Sequence, residues 1–169
     1  LPGVELTFRD AGHILGSASV WLRLSEGDRE RRVVFSGDLG QYDSPILRDP
    51  EPGPAADLVV MESTYGDRQH RDRAATLAEL GDILLHARKG GGNVLIPAFA
   101  VGRSQDLLYE LGTHFEAWDL GAWRIFLDSP MAIEAARAYW RDRELYEEEA
   151  CELRGRTGGL DGRRQCSPW

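Results

Sequence analysis

The apolar residues of this chain change their spacing partway along the sequence, and this change limits the folds that the chain can adopt. Up to about residue 68, short apolar and β-branched runs separated by turns predict strands at residues 4–9, 18–24, 32–35 and 58–61. We expect this first part to form a β-meander and its last strand to be buried. A loop with four prolines at residues 42–54 separates that strand from the others.

After residue 71 the spacing becomes helical. Asp72 is expected to cap a helix that ends near Lys89, because leucines recur on one face and three glycines follow. Apolar runs at residues 93–96 and 123–127 predict two more strands, each followed by a helix. Strand–helix alternation is typical of a parallel sheet, so the fold class is predicted to be α/β.

Composition restricts the functional classes. The 20 Lys and Arg residues against 28 Asp and Glu residues give a net charge of −8, which argues against a broad basic surface for nucleic acid. Local phosphate contacts assisted by a metal remain compatible with this charge. No apolar run approaches the roughly 20 residues that a membrane helix needs, and no secretory signal is evident. We therefore expect no membrane association and a cytoplasmic location.

The end of the sequence differs from the rest. Residues 151–169 are rich in Arg and Gly and lack a hydrophobic period, which predicts an irregular tail. An aberrant reading frame and a natural disordered terminus both explain it. Cys151 and Cys166 form no CxxC pair, and we interpret them as incidental thiols. The chain starts at Leu1 rather than Met, which favours a fragment or a processed product.

Three polar residues follow short apolar runs, at points where predicted strands end. They are His13, Asp38 and Glu62. An imidazole and two carboxylates at strand ends are typical of a zinc site in a hydrolase. Each also has a simpler interpretation, namely a histidine in a turn, an aspartate in an Asx-turn beside Gly37, and a glutamate in a structural ion pair.

Five segments together resemble a known family. They are Ala-Gly-His-Ile-Leu-Gly-Ser-Ala at 11–18, Phe-Ser-Gly-Asp-Leu-Gly at 35–40, Glu-Ser-Thr-Tyr-Gly-Asp-Arg at 62–68, Pro-Ala-Phe-Ala-Val-Gly-Arg at 97–103 and Asp-Ser-Pro-Met-Ala at 128–132. In this order they resemble the β-CASP branch of the metallo-β-lactamase fold, whose members are RNA- and DNA-processing nucleases. The resemblance covers residues 4–149.

The resemblance implies a fold and a division into domains. Residues 1–68 would be the C-terminal part of a metallo-β-lactamase-like αββα sandwich, which is partial here. Residues 69–150 would begin an α/β β-CASP domain, and the irregular tail at residues 151–169 would follow it.

The resemblance also implies roles for the three polar residues. His13 looks like a ligand of one zinc ion, and Asp38 looks like the aspartate that bridges two. Glu62 looks like the acidic residue that opens the β-CASP region and orients a metal-ligating histidine. Asp38 and Glu62 are thus the candidate catalytic residues, and His13 and Asp38 the candidate metal ligands. Two zinc ions about 3.5–4 Å apart would activate a water and stabilise the transition state of phosphodiester cleavage.

The chain departs from the family's pattern in its histidines. The pattern has a His-x-His-x-Asp-His motif before the His13 segment and two further histidines later, and this sequence contains neither. His70, His86 and His114 do not fit those positions, and we interpret them as surface residues. Because two protein ligands are too few for a stable dinuclear site, we predict that the chain alone binds zinc weakly and cleaves nothing.

Two further residues are candidate phosphate contacts. Residues 97–103 lead into a predicted helix whose free N–H groups could hold a phosphate, assisted by Arg103, but an ordinary strand–helix turn explains the segment equally well. Ser129 could line the same cleft, although capping of the next helix explains it without any ligand.

The predicted function is that of a fragment of a zinc-dependent hydrolase whose full-length form cleaves RNA, with DNA left open as a substrate. Two alternatives remain: the same fold acting on a small ester or thioester, and an inactive remnant or binding module. The segments at 97–103 and 128–132 argue against the ester, because the resemblance assigns them to the nuclease branch.

Overall fold

The computed structural model describes residues 2–141, which divide into two compact units, residues 2–64 and 65–141. The first unit is built on a sheet and the second on helices, so the predicted α/β class is confirmed. The tail predicted at residues 151–169 lies outside the described residues, as do residues 142–150 of the predicted β-CASP part.

Four strands form the sheet of the first unit, in the spatial order of their sequence: β1 (Val4–Asp10), β2 (Ala18–Glu26), β3 (Arg29–Phe35) and β4 (Leu58–Val60). The first three are antiparallel neighbours, as the sequence predicted. β3 begins earlier than expected because Glu26 pairs with Arg29 across the two-residue turn Gly27-Asp28. Exposed charged residues continue the β-ladder there, where they were expected to form the turn.

The predicted β-meander is wrong at β4, because this strand runs parallel to β3, with Val34 opposite Val59. A parallel neighbour needs a crossover connection, which residues 36–57 provide. The strand was expected to be buried, but Leu58, Val59 and Val60 are 55%, 55% and 47% exposed. A strand is buried only when layers pack on its faces, and the described residues of this unit place none over β4.

The second unit contains α1 (Arg73–Lys89), α2 (Arg103–Thr113) and α3 (Pro130–Arg141), with a 3₁₀ turn at Leu120–Ala122. As predicted, the Asp72 carboxylate caps α1 by accepting a hydrogen bond of 2.8 Å from the Ala75 N–H. Ser129 caps α3 in the same way, since its Oγ accepts a 3.2 Å hydrogen bond from the Ala132 N–H.

Leu84, Trp118 and Leu120 form the core of this unit, and Leu77, Leu80, Leu111 and Phe115 are among the partly buried residues that pack on it. Gly81 in α1 lies against the Trp118 indole, where a Cβ atom would overlap the ring. The indole therefore packs directly on the helix backbone.

The strands predicted at residues 93–96 and 123–127 do not form, so the parallel sheet expected in the second part is wrong for residues 65–141. Leu95 is 93% exposed and Phe126 is 53% exposed. An apolar run becomes a strand only when a neighbour completes its backbone hydrogen bonds, and none of the described strands pairs with either run. None of the helices among residues 2–141 has the length and apolar character to span a membrane.

Candidate active site

The segments that follow β1, β3 and β4 all lie at one end of the sheet. β1 and β3 are each antiparallel to β2, and β4 is parallel to β3. The C-terminal ends of β1, β3 and β4 therefore lie at the same end of the sheet. His13, Asp38 and Glu62 occur just beyond those ends. The topology therefore brings the three candidate residues to one side of the first unit.

The His13 loop is held by Ser17. The Ser17 hydroxyl oxygen accepts hydrogen bonds from the backbone N–H groups of His13, at 3.0 Å, and Ile14, at 3.2 Å. The Ser17 carbonyl also accepts a hydrogen bond from the Ala11 N–H at 3.2 Å, which closes the loop. The imidazole of His13 is exposed, as a residue that binds an ion or a substrate must be.

The Asp38 loop lies directly against the His13 loop. The Gly40 N–H donates a 2.7 Å hydrogen bond to the Ala11 carbonyl, and a Cβ atom at Gly40 would overlap the Gly12 carbonyl. Gly37, just before Asp38, has a φ of +58°, a conformation that glycine adopts at little cost. Glycine at these positions lets the two backbones approach closely while the Asp38 side chain stays exposed.

Glu62 ties the third segment to the Asp38 loop. Its carboxylate accepts hydrogen bonds from the Leu39 N–H at 2.7 Å and from the Thr64 N–H at 3.4 Å. Its own N–H donates to the Ser36 hydroxyl at 3.0 Å. Hydrogen bonds from the Thr64 side chain and the Leu39 N–H lower the pKa of Glu62, and a smaller electrostatic interaction with His13 acts in the same direction. Glu62 is therefore an ionised carboxylate whose surroundings include His13.

These residues fit a metal in kind but not in number. Imidazole nitrogen and carboxylate oxygen are ordinary zinc ligands, and both His13 and Asp38 are exposed at the same end of the sheet. Among residues 2–141, however, no three His, Cys, Asp or Glu side chains are grouped so that they could hold one ion. A zinc site needs at least three protein ligands, so the described residues alone provide too few ligands to complete one.

The other histidines lie in the second unit. His70 and His86 are exposed, as predicted. His114 is not a simple surface residue: its side chain is 30% exposed, stacks on Trp118 with ring centroids 4.4 Å apart, and has Nδ1 3.3 Å from the Glu110 carboxylate. An aromatic neighbour and a buried carboxylate on the same helix face explain this position without a ligand.

The start of α2 has fewer free backbone N–H groups than the sequence suggested. The N–H groups of Arg103, Ser104 and Gln105 donate to carbonyls of the preceding segment, those of Val101, Phe99 and Gly102 respectively. The backbone thus uses these groups in a turn that leads into the helix, although none of the described strands directly precedes it, and offers them to no phosphate. The Arg103 side chain is 63% exposed and its guanidinium lies 3.3 Å from the Asp106 carboxylate, so the guanidinium remains an available hydrogen-bond donor.

Three residues that position these segments were missed by sequence reasoning: Ser17, Ser36 and Gln105. Ser17 lies inside a segment already noted for its histidine, and its hydroxyl accepts from backbone N–H groups only three and four residues earlier, so its role is a local one. Gln105 leaves no such signal, because one of its two partners, Ala132, is 27 residues away in sequence.

Three known proteins illustrate what the chain is similar to, although no protein-family model matches it. It is 44% identical over 149 residues to Ribonuclease TTHA0252 of Thermus thermophilus, an alignment that covers 88% of this chain and 33% of the relative. It is 30% identical over 181 residues to Transcription termination factor FttA of Methanothermobacter thermautotrophicus, covering 97% of this chain and 28% of the relative. It is 32% identical over 139 residues to Endoribonuclease YSH1 of Yarrowia lipolytica, covering 81% of this chain and 16% of the relative.

These relatives share the β-CASP variant of the metallo-β-lactamase fold, and the four-stranded sheet and three helices agree with part of it. The chain spans a third or less of the length of each of these curated relatives. The chain belongs to the β-CASP family of metallo-β-lactamase-fold RNA-processing nucleases, as a partial member.

Proposed function

We propose that this chain is part of a zinc-dependent ribonuclease and that it supplies one wall of the catalytic site. One observation supports this most strongly: hydrogen bonds join the loops after β1, β3 and β4, so that His13, Asp38 and Glu62 share one end of the sheet. The names of two relatives, a ribonuclease and an endoribonuclease, support RNA as the substrate. A cytoplasmic location remains part of this proposal and rests on the sequence alone.

His13 and Asp38 are the proposed metal ligands of this wall. Zinc held by them, with further ligands from the remainder of the full-length protein, would supply an activated water and positive charge at the scissile phosphate. Glu62 stays ionised and holds the Asp38 loop through the Leu39 N–H. We assign it the task of keeping Asp38 in place and orienting a neighbouring imidazole. At metal sites, a carboxylate that hydrogen-bonds to a ligand, rather than to the metal, often has this role.

Arg103 and Ser129 are the proposed phosphate contacts of the second unit. The Arg103 side chain is exposed whereas Asp106 is only 24% exposed. Water around the guanidinium screens the pair and keeps it weak, so Arg103 can exchange Asp106 for a phosphate. The Ser129 oxygen accepts the capping hydrogen bond from Ala132, which leaves its O–H group able to donate to a phosphate oxygen.

A chimera tests this proposal. Residues 2–141 of this chain replace the aligned segment of the Thermus ribonuclease, so that the relative provides every part that these residues lack. We expect the chimera to retain bound zinc and to cleave a labelled single-stranded RNA. His13→Ala and Asp38→Ala should each abolish cleavage, and Glu62→Gln should lower it about 10–100-fold.

The same chimera separates the alternatives. Hydrolysis of a small ester or thioester without cleavage of RNA would identify the fold with a different substrate. A folded chimera that loses zinc and cleaves neither substrate would identify the segment as an inactive remnant. Cleavage of a DNA strand of the same sequence, measured in parallel, decides whether the enzyme requires ribose.

A further inference from the structure

Gln105 joins two separate parts of the second unit. Its side-chain Nε2 donates hydrogen bonds to the Ala100 carbonyl at 3.2 Å and to the Ala132 carbonyl at 3.3 Å. Ala100 lies in the segment before α2, and Ala132 lies in the first turn of α3. The residue is 4% exposed, so these contacts are protected from water.

The orientation of this amide follows from its partners. Both neighbours are carbonyl oxygens, so only the NH₂ end can face them; the opposite orientation would place three oxygens together. The Gln105 Oε1 atom is buried and has no hydrogen-bond partner within residues 2–141. The two donated hydrogen bonds are therefore what this amide contributes to the described structure.

These bonds lie close to both proposed phosphate contacts. Arg103 is in the same first turn of α2, and the Ser129 Oγ accepts its capping hydrogen bond from the N–H of Ala132 itself. Neighbouring Ser104 also holds the segment before α2, through a 2.7 Å hydrogen bond from its Oγ to the Phe99 carbonyl. That bond stays within one segment, whereas the Gln105 amide reaches α3.

We propose that Gln105 is a positioning residue that fixes the start of α2 relative to the start of α3, so that Arg103 and Ser129 act on one RNA phosphate. This inference rests on the proposed function, because it assumes that Arg103 and Ser129 meet that phosphate. Gln105 is buried and acts only through the two carbonyls that it holds.

The test uses the chain itself with a fluorescent single-stranded oligoribonucleotide, followed by anisotropy. Gln105→Leu should weaken RNA binding about tenfold, as expected for the net loss of one to two hydrogen bonds. It should also speed amide exchange of the Ile133 N–H, which bonds to the Ser129 carbonyl at 3.0 Å. Ser104→Ala is the matched control, because it loses a buried hydroxyl of the same segment but should change both readouts less than twofold.

Gln105→Glu separates positioning from simple packing. It keeps the shape of the side chain but sets a carboxylate against two carbonyls at pH 7.5, so RNA affinity relative to wild type should fall. At pH 5 burial favours the protonated carboxyl, whose O–H can donate one bond, and the relative affinity should recover in part.

The outcomes distinguish the positioning role of Gln105 from the proposed phosphate contact at Arg103. If Arg103→Met weakens RNA binding while Gln105→Leu and Gln105→Glu bind normally, the positioning role is overturned and the proposed function stands. If the wild-type chain binds no RNA, or if Arg103→Met binds as wild type does, the phosphate contact is wrong. The connection made by Gln105 is then judged by Ile133 exchange, and unchanged exchange in Gln105→Leu overturns it.

Discussion

The Leu39 N–H donates a 2.7 Å hydrogen bond to the Glu62 carboxylate, so the residue beside Asp38 is anchored to the segment that leaves β4. A second contact between the same segments, from the Glu62 N–H to the Ser36 hydroxyl, strengthens this link. Glu62 thus has a structural task in the described part of the chain. An acidic side chain suits this task because an ionised acceptor makes a stronger hydrogen bond to a backbone N–H than a neutral one does.

Removing this acceptor should loosen the Asp38 loop. In Glu62→Ala the Leu39 N–H loses its partner, and we expect its amide exchange to accelerate by at least about tenfold, the equivalent of one net hydrogen bond. Glu62→Gln keeps a carbonyl oxygen at the same place and should show a smaller change. Hydrogen exchange followed by NMR measures both variants. Equal protection of Leu39 in wild type and Glu62→Ala would show that other contacts hold the loop.

Zinc affinity tests the count of ligands. With two candidate ligands in the chain, dialysis against micromolar zinc followed by metal analysis should find well under one equivalent bound. His13→Ala and Asp38→Ala should each reduce whatever binding remains, while His86→Ala, which alters an exposed helical histidine, should not. A tight stoichiometric zinc in the isolated chain would mean that further residues complete the site.

Packing explains a prediction at Gly81. A methyl group there would overlap the Trp118 indole, which is 6% exposed and stacked on His114, so the ring has little room to move. Gly81→Ala should therefore lower the free energy of unfolding by about 1–3 kcal/mol, although alanine favours the helix itself. Gly92→Ala is the control, because only ordinary van der Waals contacts surround that position. Urea unfolding followed by circular dichroism measures both, and equal stability of the two variants would contradict the packing explanation.

Local signals in the sequence predicted much of the fold. The apolar runs of β1 and β2, the Asp72 cap of α1 and the Ser129 cap of α3 depend on residues close together in the chain, and the structure contains them all. The family resemblance came from segments quoted directly from the sequence and is borne out by the relatives. These features were accessible because each depends on residues that are near one another in sequence.

Features that depend on residues far apart in the sequence could not be predicted from it. The runs at residues 93–96 and 123–127 have strand-like composition, but a strand exists only when another strand pairs with it, and no strand of the described residues pairs with either run. The burial expected of β4 failed for a related reason, since burial depends on the layers that pack on a strand rather than on its own residues. The roles of His13, Asp38 and Glu62 as ligands or catalysts stay predictions, although the topology does place them at one end of the sheet.

Asp106 should make the stability of the second unit depend on pH. Its side chain is 24% exposed, and burial raises its pKa even though the charges of Arg103 and Arg73 oppose the shift. A carboxyl whose pKa is raised on folding binds its proton more tightly in the folded state. The stability that it contributes is therefore present at low pH and is lost as the pH rises from the unfolded-state pKa through the raised folded one.

Asp106→Asn removes this titration. The free energy of unfolding of wild type, relative to this variant, should fall as the pH rises from about 3 to about 7, since the reference pKa of an aspartate is near 4. The ion pair with Arg103 forms only where Asp106 is ionised, so it opposes this fall toward neutral pH by about 0–1 kcal/mol and makes the dependence shallower. Arg103→Met should steepen the dependence, because it removes a cation that lowers the Asp106 pKa. Parallel stability curves for wild type and Asp106→Asn, measured by urea unfolding across this range, would show that Asp106 titrates alike in the folded and unfolded chain.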